Sequence, residues 1–300
     1  MAWGFFAHRL INRKAIYHLP PELFGFYKSN IDYLEHHAVD PDQRRYILEA
    51  EAPRHYIDLD RYIQITTCEL KNINTCLPVN WNDALEEFSE DTIQAYGVVP
   101  WHINLMTIRL QKAFLEQDVE KIMRLSAEIG HYASDAHVPL HTTENYNGQL
   151  TGQIGIHALW ESRIPEKYAQ NYSFIGKKAI YLENVIKAVW DVVVQSHSEV
   201  NEVLSKEKEL RVSFEEEGIY VSKTKGRSVI KDFSPNYIDA YEKETGTLVA
   251  QKMKLSSAFI SSIWYTAWVN AGQPDFSQKQ VIDLKKDETD GPAWTVDHKR

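Results

Sequence analysis

The stretch Glu128 to Glu161 reads EIGHYASDAHVPLHTTENYNGQLTGQIGIHALWE and holds four of the twelve histidines of the chain. Two pairs within it, His131 with Asp135 and His157 with Glu161, are spaced four residues apart. Residues at this spacing lie on the same face of a helix, so each pair directs an imidazole and a carboxylate at one place. Imidazole nitrogen and carboxylate oxygen are common zinc ligands, and the stretch therefore predicts a metal site.

A single His-x-x-x-Asp pair is weak evidence, because histidines on helices are usually surface residues or hydrogen-bonded core residues. Here a third histidine, His141, lies between the two pairs, directly after Pro139 and Leu140. Pro139 should end the helix that carries the first pair. Two pairs flanking a third histidine are harder to explain without a metal.

The chain of 300 residues is 43% hydrophobic, which is enough to bury a sizeable core. It has no internal repeat and no linker rich in glycine, serine or proline, which favours one domain over residues 1–276. A polar and mobile tail is expected over residues 277–300. Apolar periodicity is helical and strand alternation is weak, so we predict an all-α, single multi-helix domain.

Several helix boundaries can be predicted. Asp118 is the expected N-cap of the helix that carries the first pair. One long amphipathic helix is expected from Lys177 to Leu204, and another from Pro235 to Trp268. Residues 205–233 are charged and irregular, and no structure is predicted for them.

The net charge of −9 argues against a broad basic face for long nucleic acid. No apolar run is long enough for a membrane span, and no signal peptide is recognisable in the sequence. The protein is thus either cytoplasmic or has lost a signal. Cys68 and Cys76 either close a small loop by a disulfide or remain free thiols, and the sequence leaves both readings open.

Two upstream histidines are further candidates. His8 lies in the first turns of a predicted N-terminal helix, where a capping or surface role is the ordinary reading. His55 is followed by Asp58, and metal-bound histidines commonly donate their second N–H to such a carboxylate. Asp58 fits the start of a helix equally well.

Taken in order, these residues resemble a known family. Trp-Gly-x-x-x-His from Trp3, an aspartate, His-Tyr-x-Asp, His-x-x-x-Asp-x-x-x-Pro-Leu-His and His-x-x-x-Glu are similar to the trinuclear-zinc superfamily. It joins bacterial zinc-dependent phospholipases C with fungal and plant single-strand-specific nucleases. The motifs cover Trp3 to Glu161, and the second half of the chain resembles the family only in being helical.

The resemblance implies three zinc ions with ligands on nine residues of this chain. These ligands are Asp40, His55, His131 and Asp135 for the first ion, His141, His157 and Glu161 for the second, and His8, Asp135 as a bridge and Trp3 for the third. Asp40 is chosen over Asp42 because its separation from His55 matches the nuclease branch.

The family's tryptophan is a ligand through its amine and carbonyl once it is the N-terminus. Met1 and Ala2 precede Trp3 in this sequence. We therefore expect export and cleavage before Trp3, and a secreted or periplasmic protein. Without that cleavage the third zinc would lose a ligand.

Features of both branches are mixed. The short spacing from Trp3 to His8 resembles the nucleases, whereas Glu161 resembles the phospholipases. The Gly-Gly-Asn segment of the nucleases is absent, and Phe5 and Phe6 stand where phospholipases place a carboxylate for choline.

The implied activity is hydrolysis of a phosphodiester by a zinc-bridging hydroxide close to Asp40 and Asp135, the two catalytic candidates. We expect phospholipase C-like activity, with a single-strand-specific nuclease as the alternative. A non-catalytic, zinc-stabilised binding module is a further alternative. No protein partner is expected.

Aromatic residues close in sequence to the ligands could stack a base or surround a choline, although core packing is their ordinary role. They are Phe5, Phe6, Tyr56 and Tyr146. The nuclease branch has an arginine three residues after its aspartate, where Gln43 stands if Asp40 is the ligand. Arg44, one step away, is the substrate-binding candidate.

Overall fold

A computed structural model describes residues 3–66, 68–225, 228–278 and 281–282. Within these residues the protein is mostly helical, as the sequence predicts. The helices of the first half are α1 (Phe5–Ala15), α2 (Pro21–Ser29), α3 (Ile31–His36), α4 (Asp40–Arg44), α5 (Leu59–Ile65), α6 (Ile73–Cys76), α7 (Trp81–Phe88), α8 (Glu90–Tyr96), α9 (Val99–Glu116) and α10 (Val119–Asp135). The helices of the second half are α11 (Ile156–Ala158), α12 (Ile164–Tyr168), α13 (Val185–Ser198), α14 (Val200–Val212), α15 (Glu216–Ile219) and α16 (Pro235–Asn270).

Shorter elements connect these helices. The 3₁₀ turns are Ile16–His18, His37–Val39, Glu49–His55, Leu70–Asn72, Pro139–Thr142 and Ala169–Asn171, and Leu159–Arg163 is a π-helical turn. Strands β1 (Tyr220–Lys225) and β2 (Ser228–Phe233) pair antiparallel, with Tyr220 opposite Phe233.

The core surrounds α10, which packs against α9, α16 and α1. The predicted cap is present, because the Asp118 side chain accepts a hydrogen bond from the Lys121 amide at 3.1 Å. From Leu125 to the end of the helix every residue is buried. The Trp264 indole of α16 donates to the Ser126 carbonyl at 3.1 Å, which fixes α16 against the same helix. The polar residues of α10 are thus held inside the molecule.

The predicted helix over Lys177–Leu204 was wrong in its first part. Residues 173–184 are irregular, and α13 begins after Asn184, whose side chain accepts from the Lys187 amide at 3.0 Å. The irregular backbone finds partners on α16, for example the Ile180 amide donating to the Ser262 hydroxyl at 3.2 Å. These tertiary hydrogen bonds replace those of a helix.

The region 205–233, for which the sequence predicted nothing, contains the end of α14 and the hairpin. Lys223 and Asp232 form an ion pair across the hairpin at 2.7 Å, and Phe233 is buried in the core. Cross-strand pairs of this kind stabilise a hairpin that strand alternation alone does not reveal.

Cys68 and Cys76 are joined in a disulfide, which decides between the two open readings. No helix of the described residues combines the length and the apolar character that a bilayer crossing needs. Most of the predicted tail lies outside the described residues. Within it, the Ile282 amide donates to the Asn30 side chain at 2.9 Å.

Candidate metal centre

Three chain segments bring four side chains together as the first cluster, at the end of α10. His131 and Asp135 come from α10, His8 from α1 and His55 from the 3₁₀ turn before α5. All four side chains are at most 1% exposed. The stretch from Glu128 therefore directs its first pair into the core, where upstream residues meet it.

Asp135 is at the middle of this cluster. Its Oδ2 atom lies 3.0 Å from His55 Nδ1 and 3.3 Å from His131 Nε2, whereas its Oδ1 atom lies 3.4 Å from His8 Nε2. The two oxygens thus face different histidines, as a carboxylate between two ions would. Burial alone would raise the pKa of Asp135, but the surrounding histidines His131, His141 and His8 hold it well below its usual range.

The second cluster joins His141, His157 and Glu161. The Nε2 atoms of the two histidines are 3.2 Å apart, and Glu161 Oε2 lies 2.8 Å from the His157 nitrogen and 3.4 Å from the His141 nitrogen. The π-helical turn after α11 carries Glu161, and such turns often occur at functional sites. Burial raises the pKa of the Glu161 carboxyl to about 7, although the facing His157 lowers it.

Hydrogen bonds fix which nitrogen of several rings carries the proton. His131 Nδ1 lies 2.8 Å from the Ala38 carbonyl and His141 Nδ1 lies 2.6 Å from the His55 carbonyl. A carbonyl can only accept, so each Nδ1 is the donor and each neutral ring turns a bare Nε2 towards a carboxylate.

His8 follows the same rule through a hydroxyl. Ser134 donates its single proton to the His131 carbonyl at 2.8 Å, so its oxygen accepts from His8 Nδ1 at 3.0 Å. His8 Nε2 is then bare and faces Asp135. Bare nitrogens against carboxylate oxygens repel one another unless a cation lies between them.

The nitrogen and oxygen donor sets are of a type that divalent metals bind, and their spacing approaches that of a tetrahedral zinc site. Ligands about 2.0–2.2 Å from a tetrahedral zinc lie roughly 3.3–3.5 Å from one another. The nitrogen and oxygen separations given above for the two clusters run from 2.8 to 3.4 Å. Several buried atoms also have no hydrogen-bond partner among the described residues, namely Asp135 Oδ1, both oxygens of Asp42 and both oxygens of Glu161. The described residues can therefore hold metal ions, as the sequence predicted.

The aspartate of the first cluster differs from the prediction. Asp42, at 2% exposure, lies with His8 and His131 in a group that could hold a metal ion. Asp40 instead accepts from His37 Nδ1 at 2.7 Å and belongs to none of these groups. Both residues lie in the short helix α4, where residues two apart point to nearly opposite sides. Among the described residues the geometry therefore favours Asp42 over Asp40 as the ligand candidate, and a catalytic role of either aspartate stays a prediction.

Arg44 is also corrected. Its guanidinium is buried in ion pairs with Glu51 at 2.8 Å and Glu128 at 3.2 Å, and it donates to the Tyr132 hydroxyl at 2.9 Å. It is thus a structural residue. The neighbouring Arg45 lines the cavity described below and stands three residues after Asp42. If the aspartate–arginine spacing had been counted from Asp42, the sequence would have pointed to Asp42 and Arg45 as the candidates.

Asp58 was expected to support His55, and the described hydrogen bonds and ion pairs do not join them. The carboxylate facing His55 Nε2 is that of Glu51, whose Oε1 lies 3.7 Å away. Glu51 stands four residues before His55, so the spacing used for the other pairs could have found it. Asp58 instead lines the cavity, where burial, followed by Asp60 and Glu144, raises the pKa of its carboxyl to about 7.

A cavity of about 370 Å³ opens onto both clusters. Its lining includes one ligand candidate of the first cluster, His55, and two of the second, His141 and His157. The other lining residues are Arg45, Ala52, Tyr56, Asp58, Leu140, Glu144, Tyr146 and Gln149. Tyr56 and Tyr146 therefore lie where a substrate could reach them, whereas Phe5 and Phe6 are not among the lining residues.

Trp3 lies beside both clusters. Its indole is fully buried, donates to the Ser134 carbonyl at 2.9 Å and packs against Trp160 with ring centroids 5.0 Å apart. The next amide, of Gly4, donates to the Glu161 carbonyl at 3.1 Å. Met1 and Ala2 lie outside the described residues, so cleavage before Trp3 stays a prediction.

A scan against known protein families and a search of curated proteins find no match to this chain.

Proposed function

We propose that the protein is a zinc-dependent phosphodiester hydrolase of the phospholipase C type. The observation that carries the proposal is that residues of both clusters that could hold a metal ion line one cavity. His55, His141 and His157 reach the cavity directly, so ions held there would be accessible to a substrate. A purely structural zinc would be closed off by its protein ligands.

The ions would supply positive charge to the phosphoryl oxygens and a water that ionises near neutral pH. The chain's own residues would hold and orient this machinery. Asp135, whose two oxygens face different histidines, would help to hold the ions, and Asp42 would contribute a buried carboxylate. Glu51 faces the second nitrogen of His55 and orients that ring.

The mouth of the cavity suggests a zwitterionic substrate. Arg45 offers N–H donors to a phosphate. Asp58 and Glu144 offer negative charge, and the rings of Tyr56 and Tyr146 offer faces for a quaternary ammonium group. A choline phosphodiester combines both charges in one head group, which supports a phospholipase C over other phosphodiesterases.

A nuclease of the same superfamily is the second candidate, and Arg45 favours it. If Asp42 is the ligand, Arg45 stands three residues later, as the arginine of the nuclease branch does. If Asp40 were the ligand, Gln43 would stand at that position. The net charge of −9 and the acidic residues at the mouth argue against a strand of phosphates.

The disulfide supports export, because such bonds persist in oxidising compartments. Zinc is supported by the nitrogen and oxygen donors, and a third ion requires Trp3 to be the mature N-terminus. We propose a secreted or periplasmic protein with up to three zinc ions.

The test is a paired assay of the zinc-loaded protein on a short-chain phosphatidylcholine and on single-stranded DNA. We expect release of phosphocholine, abolished by a chelator and restored by zinc, with little DNA cleavage. DNA cleavage without lipid cleavage would replace the phospholipase by the nuclease. Failure on both substrates would overturn the hydrolase.

A further inference from the structure

The loop between His141 and His157 has its polar and apolar side chains reversed relative to an ordinary surface. Asn145 and Gln153 are buried, at 7% and 1% exposure, whereas Leu150 and Ile154 are exposed by 65% and 64%. Loops that face only water usually expose the amides and cover the leucine and isoleucine. Exposed apolar groups of this size lose free energy that burial against another surface would recover.

This exposure is fixed by hydrogen bonds. The Asn145 side chain accepts from the Leu150 amide at 2.8 Å and donates to the Thr151 hydroxyl at 3.0 Å. Gln153 donates to Glu207 at 2.6 Å and to the Leu204 carbonyl at 2.7 Å. The loop is therefore held with Leu150 and Ile154 outward.

A second segment with exposed apolar residues directly follows, in sequence, a residue that lines the same cavity. Tyr46 and Ile47 follow Arg45 directly and are exposed by 75% and 71%. Arg45 on this segment and Gln149 on the other both line the cavity. We call Ile47, Leu150 and Ile154 the apolar rim.

We propose that the apolar rim docks the protein on a lipid surface, so that the cavity opens towards the head groups of the aggregate. The proposal rests on the proposed phospholipase activity, and it names the physical form of the substrate. The cavity of about 370 Å³ is near the lower end of ligand pockets and suits a head group, which leaves the acyl chains outside. Isoleucine and leucine side chains beside the cavity would then enter the interface, as in other proteins that lie on membranes.

The experiment compares three zinc-loaded proteins for binding, by flotation, to vesicles of a non-hydrolysable phosphatidylcholine analogue. They are the natural protein, the rim variant Ile47→Ser/Leu150→Ser/Ile154→Ser, and the control Ile175→Ser/Val212→Ser. Ile175 and Val212 are each 85% exposed and line no part of the cavity. We expect the rim variant to bind at least about tenfold more weakly and the control to bind normally.

A second readout separates docking from catalysis. Turnover of a water-soluble, monomeric choline phosphodiester should be unchanged within about twofold in the rim variant, because exposed residues outside the cavity do not touch the substrate. Vesicle binding that the rim variant retains, or that the natural protein lacks, would overturn the docking proposal. So would a rim that instead joins two copies, seen as a monomer in the variant and a dimer in the natural protein. Absent turnover of the monomeric substrate with normal vesicle binding would count against the hydrolase alone.

Discussion

Two buried glutamates, Glu207 and Glu161, differ in the partners that the chain gives their carboxylates. Glu207 and Glu161 are both 0% exposed. Glu207 accepts from Arg211 at 2.6 Å, from the Tyr237 hydroxyl at 2.8 Å and from Gln153 at 2.6 Å. Glu161 faces only histidine nitrogens, and both of its oxygens lack a hydrogen-bond partner.

The chain thus gives Glu207 several donors of its own, whereas Glu161 has only the nearby nitrogens of His141 and His157 among the described residues. Burying an unpaired carboxylate costs several kcal/mol, so a fold retains one only where something offsets that cost. A divalent cation would do so for Glu161 and Asp135, and for Asp42 beyond its ion pair with Arg45 at 3.8 Å. Guanidinium groups do so for Glu207, and for Glu51 beside Arg44.

Asp135→Asn should have the largest effect on activity. The substitution keeps the shape of the side chain and removes the charge that faces His8 and His55. We expect turnover of the phosphodiester to fall by at least about a hundredfold. Turnover is measured beside the control Asp83→Asn, an exposed residue of α7. Near-normal turnover in Asp135→Asn would remove Asp135 from its bridging position.

The two glutamates should respond in opposite ways to the same substitution. Glu207→Gln should lower the free energy of unfolding by about 2 kcal/mol, because it weakens charged hydrogen bonds, and should leave the zinc content unchanged. Glu161→Gln should lose one zinc ion and leave the metal-free protein at least as stable as before. Denaturant unfolding and metal analysis of both variants check this. If Glu161→Gln destabilised the metal-free protein and kept its zinc, the contrast would fail.

The neighbouring arginines provide a second contrast. Arg44→Ala should destabilise the fold by about 3–5 kcal/mol, because Glu51 and Glu128 would remain buried without their partner. Arg45→Ala should leave stability within about 0.5 kcal/mol and reduce turnover about tenfold. The matched control is Arg109→Ala on an exposed face of α9. Unchanged turnover in Arg45→Ala would exclude Arg45 from phosphate binding.

Much of the site could be predicted because its ligands repeat one local spacing. His131 with Asp135 and His157 with Glu161 each lie on one helical face, and this needs no tertiary information. The choice between Asp40 and Asp42 could not be made this way, because it depends on how α4 is rotated against α10. A separation counted along the chain pointed to Asp40, whereas the geometry of the described residues favours Asp42.

In the fold, too, features set by local sequence could be predicted, whereas features set by tertiary contacts could not. The capping residue Asp118 and the proline at the start of α16 act locally, and both were predicted. The irregular segment 173–184 is determined by hydrogen bonds to α16, far away in the sequence. The hairpin of β1 and β2 likewise depends on pairing between segments, which a weak alternation pattern does not indicate.

The smallest expected effect concerns Asp58 in the metal-free protein. Its pKa is raised to about 7, so the folded state binds this proton more tightly than the unfolded state does. The stability contributed by the protonated carboxyl is complete below about pH 4 and is lost as the pH rises through about 7. Asp58→Asn should therefore gain stability relative to the natural protein over this range, measured by denaturant unfolding at several pH values. If the free energies of unfolding of the natural protein and of Asp58→Asn changed with pH in parallel, the pKa of Asp58 would not be raised by burial.

The central claim is that buried histidines and carboxylates of this chain hold metal ions at the floor of the cavity. Anomalous diffraction at the zinc edge, from crystals grown with zinc, tests it most directly. We predict one peak bounded by His141, His157 and Glu161, and a second beside His55, His131 and Asp135. Crystals that show neither peak, with these side chains bonded to water or to one another instead, would contradict the account.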